Sequence, residues 1–151
     1  MVRGYQADVT PEEAWSALKS EPASALVDVR TAAEWNYVGL PDLAPIGKHL
    51  LRVEWQSFPA GEVNPAFTET MDAALKKAGA SPDASVFFIC RSGARSASAA
   101  AAMTAAGYTR CYNVAGGFEG PRDADGHRGG VEGWKAAKLP LVASCRGVGS
   151  G

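Results

Sequence analysis

Histidine is nearly missing from this chain: His49 and His127 are the only two in 151 residues. They stand far apart, and neither has neighbours at metal-ligand spacing. No histidine-based metal centre is expected, nor a cysteine–histidine dyad close in sequence. Cysteine is scarce as well, with Cys90, Cys111 and Cys145. An odd number at wide spacing makes a poor disulfide framework, so the expected setting is reducing and cytoplasmic. No apolar run approaches the roughly 20 residues of a membrane span. The longest small-apolar run, residues 99–106, is interrupted by Thr104. The first eight residues, Met1-Val2-Arg3-Gly4-Tyr5-Gln6-Ala7-Asp8, lack the apolar core of a secretory leader. An excess of positive charge is also absent. Lys and Arg number 15 against 16 Asp and Glu, a formal net charge of -1. That argues against a surface built to coat nucleic acid or an anionic membrane.

The remaining composition is that of an ordinary folded chain, 46% hydrophobic and 21% charged. A chain of this size buries roughly 68–70% of its unfolded surface, enough for a core without disulfide or metal staples. One domain is expected over residues 1–151, with a core from about 4 to 141 and a flexible tail over about 145–151.

Turn signals and apolar runs alternate along the chain. Thr10-Pro11-Glu12-Glu13 reads as a capping box opening a helix over residues 11–19. Residues 25–29 form a short apolar run, expected as a buried strand, and Thr31 opens a short helix after it. Residues 50–55 are a second strand candidate. Phe67, Met71, Ala74, Leu75 and Ala78 follow the helical period within residues 65–79, and Gly79 supplies a stop. Residues 85–90 make the strongest strand, an alanine-rich helix spans about 94–106, and residues 110–114 make another strand. Residues 134–138 are expected as a last short helix ended by Pro140, and residues 120–130 as a glycine-rich surface loop. Strands separated by helices imply an α/β fold, with a mainly parallel central sheet of about five strands and helices on both faces.

One segment carries chemistry: Cys90-Arg91-Ser92-Gly93-Ala94-Arg95-Ser96. It leaves the carboxyl end of the strongest strand and runs into a helix, the edge where open α/β sheets bind ligands. A tight glycine-containing loop can turn its N–H groups inward as an anion nest, and the helix adds its positive end. Arg91 and Arg95 bring fixed charge. A thiol in that setting ionises readily and becomes a nucleophile. Cys111 is expected to pack in a strand, and Cys145 lies near a loose end, where it is at most a resolving thiol.

With those residues in view, the chain resembles the single-domain rhodanese-like sulfurtransferases over roughly residues 4–141. Three places carry the resemblance. The first is Leu26-Val27-Asp28-Val29-Arg30 with Glu34-Trp35. The second is the loop from Cys90 to Ser96. The third is Asn113-Val114-Ala115-Gly116-Gly117-Phe118, with Gly133-Trp134 and Leu139-Pro140. The resemblance implies that Cys90 takes the outer sulfur of thiosulfate or a persulfide donor. The loop residues Arg91, Ser92, Gly93, Ala94, Arg95 and Ser96 would cradle that sulfur, and a thiol or sulfur-carrier acceptor would remove it. It implies no cofactor, metal, nucleic acid or membrane. A persulfide-carrying module for a protein partner is the second reading. A cysteine phosphatase or arsenate-reductase-like enzyme is the third. The phosphatases of related build place one more residue between cysteine and arginine than the four here, Arg91 to Ala94. The tighter loop suits a single sulfur atom better than a phosphate.

Three residues are expected in support. Asp28 and Arg30 end a strand on the same sheet edge as Cys90, and Asp28 is expected to hydrogen-bond loop amides. Arg30 and Glu34 are spaced for an i,i+4 pair that shapes the site wall. Arg91 is expected to recognise an anionic donor, Arg95 to brace the loop, and Ser92 and Ser96 to serve the sulfur or the helix start. Trp35, Trp55 and Trp134 are expected to pack. Asp123-Ala124-Asp125-Gly126 resembles a calcium-loop opening, but residues 127–131 lack the remaining oxygen ligands. Many relatives carry a histidine after the acidic helix, where this chain reads Val38-Gly39-Leu40-Pro41-Asp42-Leu43. The segments 41–63 and 121–130 are longer than a minimal domain needs and could select a partner.

Overall fold

The computed structural model describes residues 4–56, 62–120, 124 and 132–142. The expected tail, Cys145, His127 and nearly all of residues 121–130 lie outside them.

The first strand, β1 (Ala7–Val9), leads to α1 (Pro11–Ser20), β2 (Ala25–Asp28) and α2 (Ala32–Val38). A small strand β3 (Leu40–Pro41) and a 3-10 turn (Ala44–Ile46) precede β4 (Leu51–Arg52). Then come α3 (Phe67–Lys77), β5 (Ser85–Ile89), α4 (Ala94–Ala105), β6 (Arg110–Val114) and β7 (Leu141–Val142). Five strands form one sheet in the order β1-β6-β5-β2-β4, every neighbour parallel. β3 and β7 pair antiparallel in a separate two-stranded ribbon. This is the expected α/β architecture.

The capping chemistry read from the sequence is in place. Thr10 and Glu13 form a complete capping box on α1, and Thr31 caps α2; there Glu34, expected to pair with Arg30, completes a second box instead. β2 and β5 are buried at every residue, because parallel strands in mid-sheet are covered on both faces. Alternate residues feed two cores. Val27, Val86, Phe88 and Cys90 join Phe67, Met71 and Leu75 of α3 and Ala99, Ala100 and Met103 of α4. Leu26, Phe87 and Ile89 join Ala14 and Leu18 of α1, with Phe118 and Trp134. Each large buried apolar side chain contributes roughly 1.5–3 kcal/mol.

Strand order locates the working edge. From β1 to β2 to β4 the chain moves one way across the sheet; from β4 to β5 to β6 it moves back. Right-handed crossovers then put α1 on one face and α3 and α4 on the other. β2 and β5 are adjacent, and their outgoing connections run in opposite directions. The crevice between their carboxyl ends is the topological switch point of the sheet.

Two expectations need correction, and two features were not expected. The fifth strand of the main sheet is β1, too short at three residues to show a period in the sequence. The second strand candidate shrinks to Leu51–Arg52. As an edge strand it pairs on one side only, and beyond Arg52 it is held by single bonds, from Val53 N–H to the Asp28 carbonyl and from Trp55 N–H to the Val29 carbonyl. Residues 134–138 form consecutive turns rather than a helix. Gly133, left-handed Lys138 (φ 59°) and Pro140 bracket too few residues to sustain the helical ladder. The ribbon of β3 with β7 was not expected, since neither segment alternates.

The tryptophans pack as expected. Trp134 is fully buried, edge-on to Trp15 at 5.8 Å, and its Nε1–H donates to the Pro140 carbonyl. Trp55 meets Phe67 edge-on at 4.9 Å, and Trp35 lies beneath the Arg52 guanidinium.

Candidate active site

Cys90 is the first residue past β5, at the β2–β5 crevice, and it is 1% exposed. Its side chain continues the face of Val86 and Phe88 and so points toward α4. Two groups meet the sulfur. The Gly93 N–H donates to Cys90 Sγ at 3.1 Å, and Ser96 Oγ lies 3.2 Å from it. Gly93 has φ +118°, a conformation that turns its amide back onto the thiol and that other residues adopt only with strain. It is also the residue from which α4 starts, so the positive end of a 12-residue helix adjoins the sulfur.

The outer side of the loop is held by a tight turn. The Cys90 carbonyl accepts from Phe118 N–H at 2.7 Å, and the Arg91 carbonyl accepts from Glu119 and Gly120 N–H, each at 3.0 Å. A planar trans peptide carries its N–H opposite its carbonyl. Anchoring these two carbonyls therefore turns the N–H groups of Arg91 and Ser92 away from the turn. The approach is close enough to require glycine at 117. A Cβ there would sit 2.5 Å from the Cys90 carbonyl oxygen and 2.7 Å from the Arg91 carbonyl, at φ +63°. The turn is braced from behind by Trp134 N–H to the Gly117 carbonyl at 2.8 Å.

The loop residues fall on three levels. Arg91, Ser92 and Ala94 are exposed, Gly93 and Arg95 are half-buried, and Ser96 is fully buried. Arg95 braces the loop, as expected, through a partner that sequence spacing did not indicate. Its Nη1 and Nη2 donate to Glu34 Oε1 and Oε2 at 2.6 and 2.9 Å, a bidentate pair. Glu34 thereby links the first turn of α2 to the first turn of α4, while its Oε1 also accepts from Thr31 N–H. Burial pushes the Glu34 carboxyl up, but hydrogen bonds from Arg95 and Thr31, with the Arg95 and Arg30 charges, outweigh it and bring the pKa to about 2. The hydrogen bonds to Glu34, opposed by burial, raise Arg95.

The expected Arg30–Glu34 pair does not form. Arg30 turns instead onto Asp28, donating from Nε and Nη2 to both carboxylate oxygens at 2.7–3.1 Å, with both residues fully buried. Arg30 Nη2 also donates to the Gly39 carbonyl at 2.6 Å, and the guanidinium lies 4.4 Å from the centre of the Phe118 ring. The pair thus ties the end of β2 to the end of α2 and to the glycine turn. Asp28 is used up on the Arg30 side chain and the Arg30 N–H, not on loop amides as expected. A short β-to-α turn favours i,i+2 contact here, because α2 begins only at Ala32.

The Glu34–Arg95 pair has a consequence for pH. A carboxyl lowered from 4.5 to about 2 stabilises the fold fully above pH 4.5, and that contribution is lost as pH falls toward 2. Glu34→Gln is expected to flatten the acid limb of the stability curve across this window. It should also lower stability at pH 7 by about 2 kcal/mol. Urea midpoints measured from pH 2 to 7 check this; an acid limb identical in both proteins would rule the pair out as a stabiliser.

Two contributors were given no role from the sequence, although Asn113 opens the third resemblance motif. Asn113 on β6 is buried, with its Oδ1 at 2.6 Å from Ser96 Oγ. Asp8 on β1 lies opposite Asn113 in the strand register and accepts from its Nδ2 at 2.9 Å. The available signal was an amide side chain among the apolar and aromatic residues of a strand, Cys111-Tyr112-Asn113-Val114. Cys111 packs in the core as expected, and burial pushes its thiol up to about 11. His49 is outside this group of contacts.

No described helix is long and apolar enough to cross a membrane. Comparison with known proteins agrees with the geometry. The family described as "Rhodanese-like domain" matches residues 10–124. An uncharacterised protein of Rickettsia rickettsii is 36% identical over 88% of this chain and 94% of its own length. The thiosulfate sulfurtransferase GlpE of Actinobacillus succinogenes is 33% identical over 89% of this chain and 88% of its own length. The crystal structure of Rv0390 from M. tuberculosis superimposes with a TM-score of 0.79 at 44% identity, covering 93% of this chain and 99% of that one. The family match over residues 10–124, with likeness to such relatives over nearly the whole length, places the chain: it belongs to the rhodanese-like domain family.

Proposed function

We propose that this protein is a sulfurtransferase that carries sulfane sulfur as a persulfide on Cys90. The observation that supports this most directly is the Cys90 sulfur held between the Gly93 N–H and Ser96 Oγ at the start of α4. Thiosulfate or a small persulfide is the donor, and a thiol or a sulfur-carrier protein is the acceptor. Similarity to a thiosulfate sulfurtransferase favours thiosulfate as the donor to try first.

The Cys90 thiolate attacks the outer sulfur of thiosulfate. A new S–S bond forms, the donor's S–S bond breaks, and sulfite leaves with the electron pair. An acceptor thiolate then attacks the outer sulfur of the persulfide, and Cys90 departs as a thiolate. No external oxidant or reductant is needed. The helix start and the loop amides stabilise negative charge on the attacking and departing sulfur. Arg91, exposed at the loop surface, supplies positive charge to draw an anionic donor. Arg95 is already committed to Glu34 by both arms of its fork, which speaks against a phosphatase-like role clamping phosphate oxygens. The free thiols Cys90 and Cys111 fit work in a reducing compartment such as the cytoplasm.

Incubation with thiosulfate, followed by non-reducing peptide mass spectrometry, tests the reading. One added sulfur is expected on the Cys90 peptide and none on the Cys111 peptide, whose raised thiol stays protonated at neutral pH. Sulfur found on Cys111 or Cys145 instead would overturn the assignment.

A further inference from the structure

A chain of hydrogen bonds runs from the surface to the reactive sulfur. Tyr5 Oη–H donates to Asp8 Oδ1 at 2.7 Å, and Asn113 Nδ2–H donates to the same oxygen at 2.9 Å. Asn113 Oδ1 then faces Ser96 Oγ at 2.6 Å, and Ser96 Oγ faces Cys90 Sγ at 3.2 Å. The orientation of the Asn113 amide follows from chemistry. An ionised carboxylate only accepts, so Asp8 takes the NH2 side and leaves the carbonyl side for Ser96.

A serine hydroxyl carries one proton and here has three acceptors in reach. Asn113 Oδ1 is nearest at 2.6 Å, ahead of Cys90 Sγ at 3.2 Å and the Gly93 carbonyl at 3.3 Å. We propose that Asn113, oriented by Asp8, is a positioning residue that commits the Ser96 proton and so sets how readily the Cys90 thiolate forms. While Cys90 is a thiol, Ser96 donates to Asn113 and receives the S–H on its own lone pair. When Cys90 ionises, its proton leaves to water and the Ser96 O–H turns onto the sulfur, its hydrogen remaining bonded to Oγ. The buried Asn113 carbonyl then loses its donor, which opposes ionisation. The network restrains the nucleophile, and the helix start with its arginines opposes that restraint.

The charged groups around Cys90 come from every neighbouring element. Arg95 of α4 interacts with it electrostatically and is itself paired with Glu34 of α2. Asp28 and Arg30 stand together at the end of β2, Arg91 lies next to Cys90 in the loop, and Asp8 reaches the site from β1 through Asn113. All stay unchanged when Asn113 alone is replaced by a neutral residue.

This inference rests on Cys90 being the nucleophile, and its test needs no sulfur donor. The readout is the pH midpoint of Cys90 alkylation by iodoacetamide, followed by peptide mass spectrometry. Asn113→Leu frees the Ser96 proton for the sulfur and is expected to lower the midpoint by about half to one pH unit. Ser96→Ala is expected to raise it. The double variant should match Ser96→Ala alone, because Asn113 acts through Ser96. A midpoint unmoved by Asn113→Leu, or moved equally with Ser96→Ala present, overturns the proposal. Should Asn113→Leu not fold, Asp8→Asn takes its place. It lets the Asn113 amide reverse, and the part of its shift that vanishes with Ser96→Ala measures the network. An unchanged shift overturns the proposal. Alkylation that follows these rules in a protein that accepts no sulfur would sink the proposed transfer and leave the network standing.

Discussion

Cys90→Ser is expected to lower thiosulfate-dependent sulfur transfer by about 10³-fold or more, to the uncatalysed background. A serine hydroxyl does not ionise at neutral pH, and oxygen cannot hold a transferable sulfane sulfur as a thiol does. The fold should survive. Cys90 is buried among apolar residues, yet a hydroxyl in its place retains the Gly93 N–H and Ser96 Oγ as partners. A stability change within about 1–2 kcal/mol is expected. Steady-state transfer to cyanide and transfer to a protein thiol, each beside a thermal melt, check both halves. Residual transfer above a few per cent of the unsubstituted rate would move the chemistry to another residue. Transfer to a protein thiol with negligible turnover of small acceptors would instead identify a persulfide-carrying module.

Gly117→Ala is expected to be strongly destabilising. The added methyl would lie 2.5 Å from the Cys90 carbonyl oxygen and 2.7 Å from two atoms of Arg91, at φ +63°. The left-handed conformation alone costs about 1–2 kcal/mol. The steric conflict is with backbone, which cannot swing aside as a side chain can. A total loss of about 3–5 kcal/mol is expected, or roughly 10 °C in Tm. Gly47→Ala is the control, since at φ +71° its Cβ would meet nothing within 4 Å. It shares the conformational cost without the conflict. Equal melting temperatures for the two variants would show that the turn does not press on the loop. If Gly117→Ala folds, persulfide formation on Cys90 should fall with it, because the anchored carbonyls of Cys90 and Arg91 set the direction of the loop amides.

The parts legible in the sequence share one property: each is decided within about a dozen consecutive residues. The capping box at Thr10–Glu13 and the cap at Thr31 are decided within three residues. α3 shows itself because Phe67, Met71 and Leu75 recur on one face. The Cys90–Ser96 loop is marked by a glycine and two arginines between a buried strand and a small-residue helix. The three-residue β1 and the two-residue strands β3 and β7 were not legible, being too short to carry a period. The Arg30–Glu34 expectation failed for a related reason. Spacing suggested the pair, but it assumed helical backbone at residue 30, which lies before α2 begins.

The sequence by itself determined the alternation of strands and helices and the thiol at the end of the strongest strand. It also determined the glycine that lets the loop close on that thiol. The tertiary structure alone decided the partners: Arg95 with Glu34, 61 residues away, and Asn113 with Asp8, 105 residues away. Local propensity acts over one turn or one hairpin. Those pairs depend on which strand lies beside which, and that order is settled only when two apolar faces of one parallel sheet are buried at once.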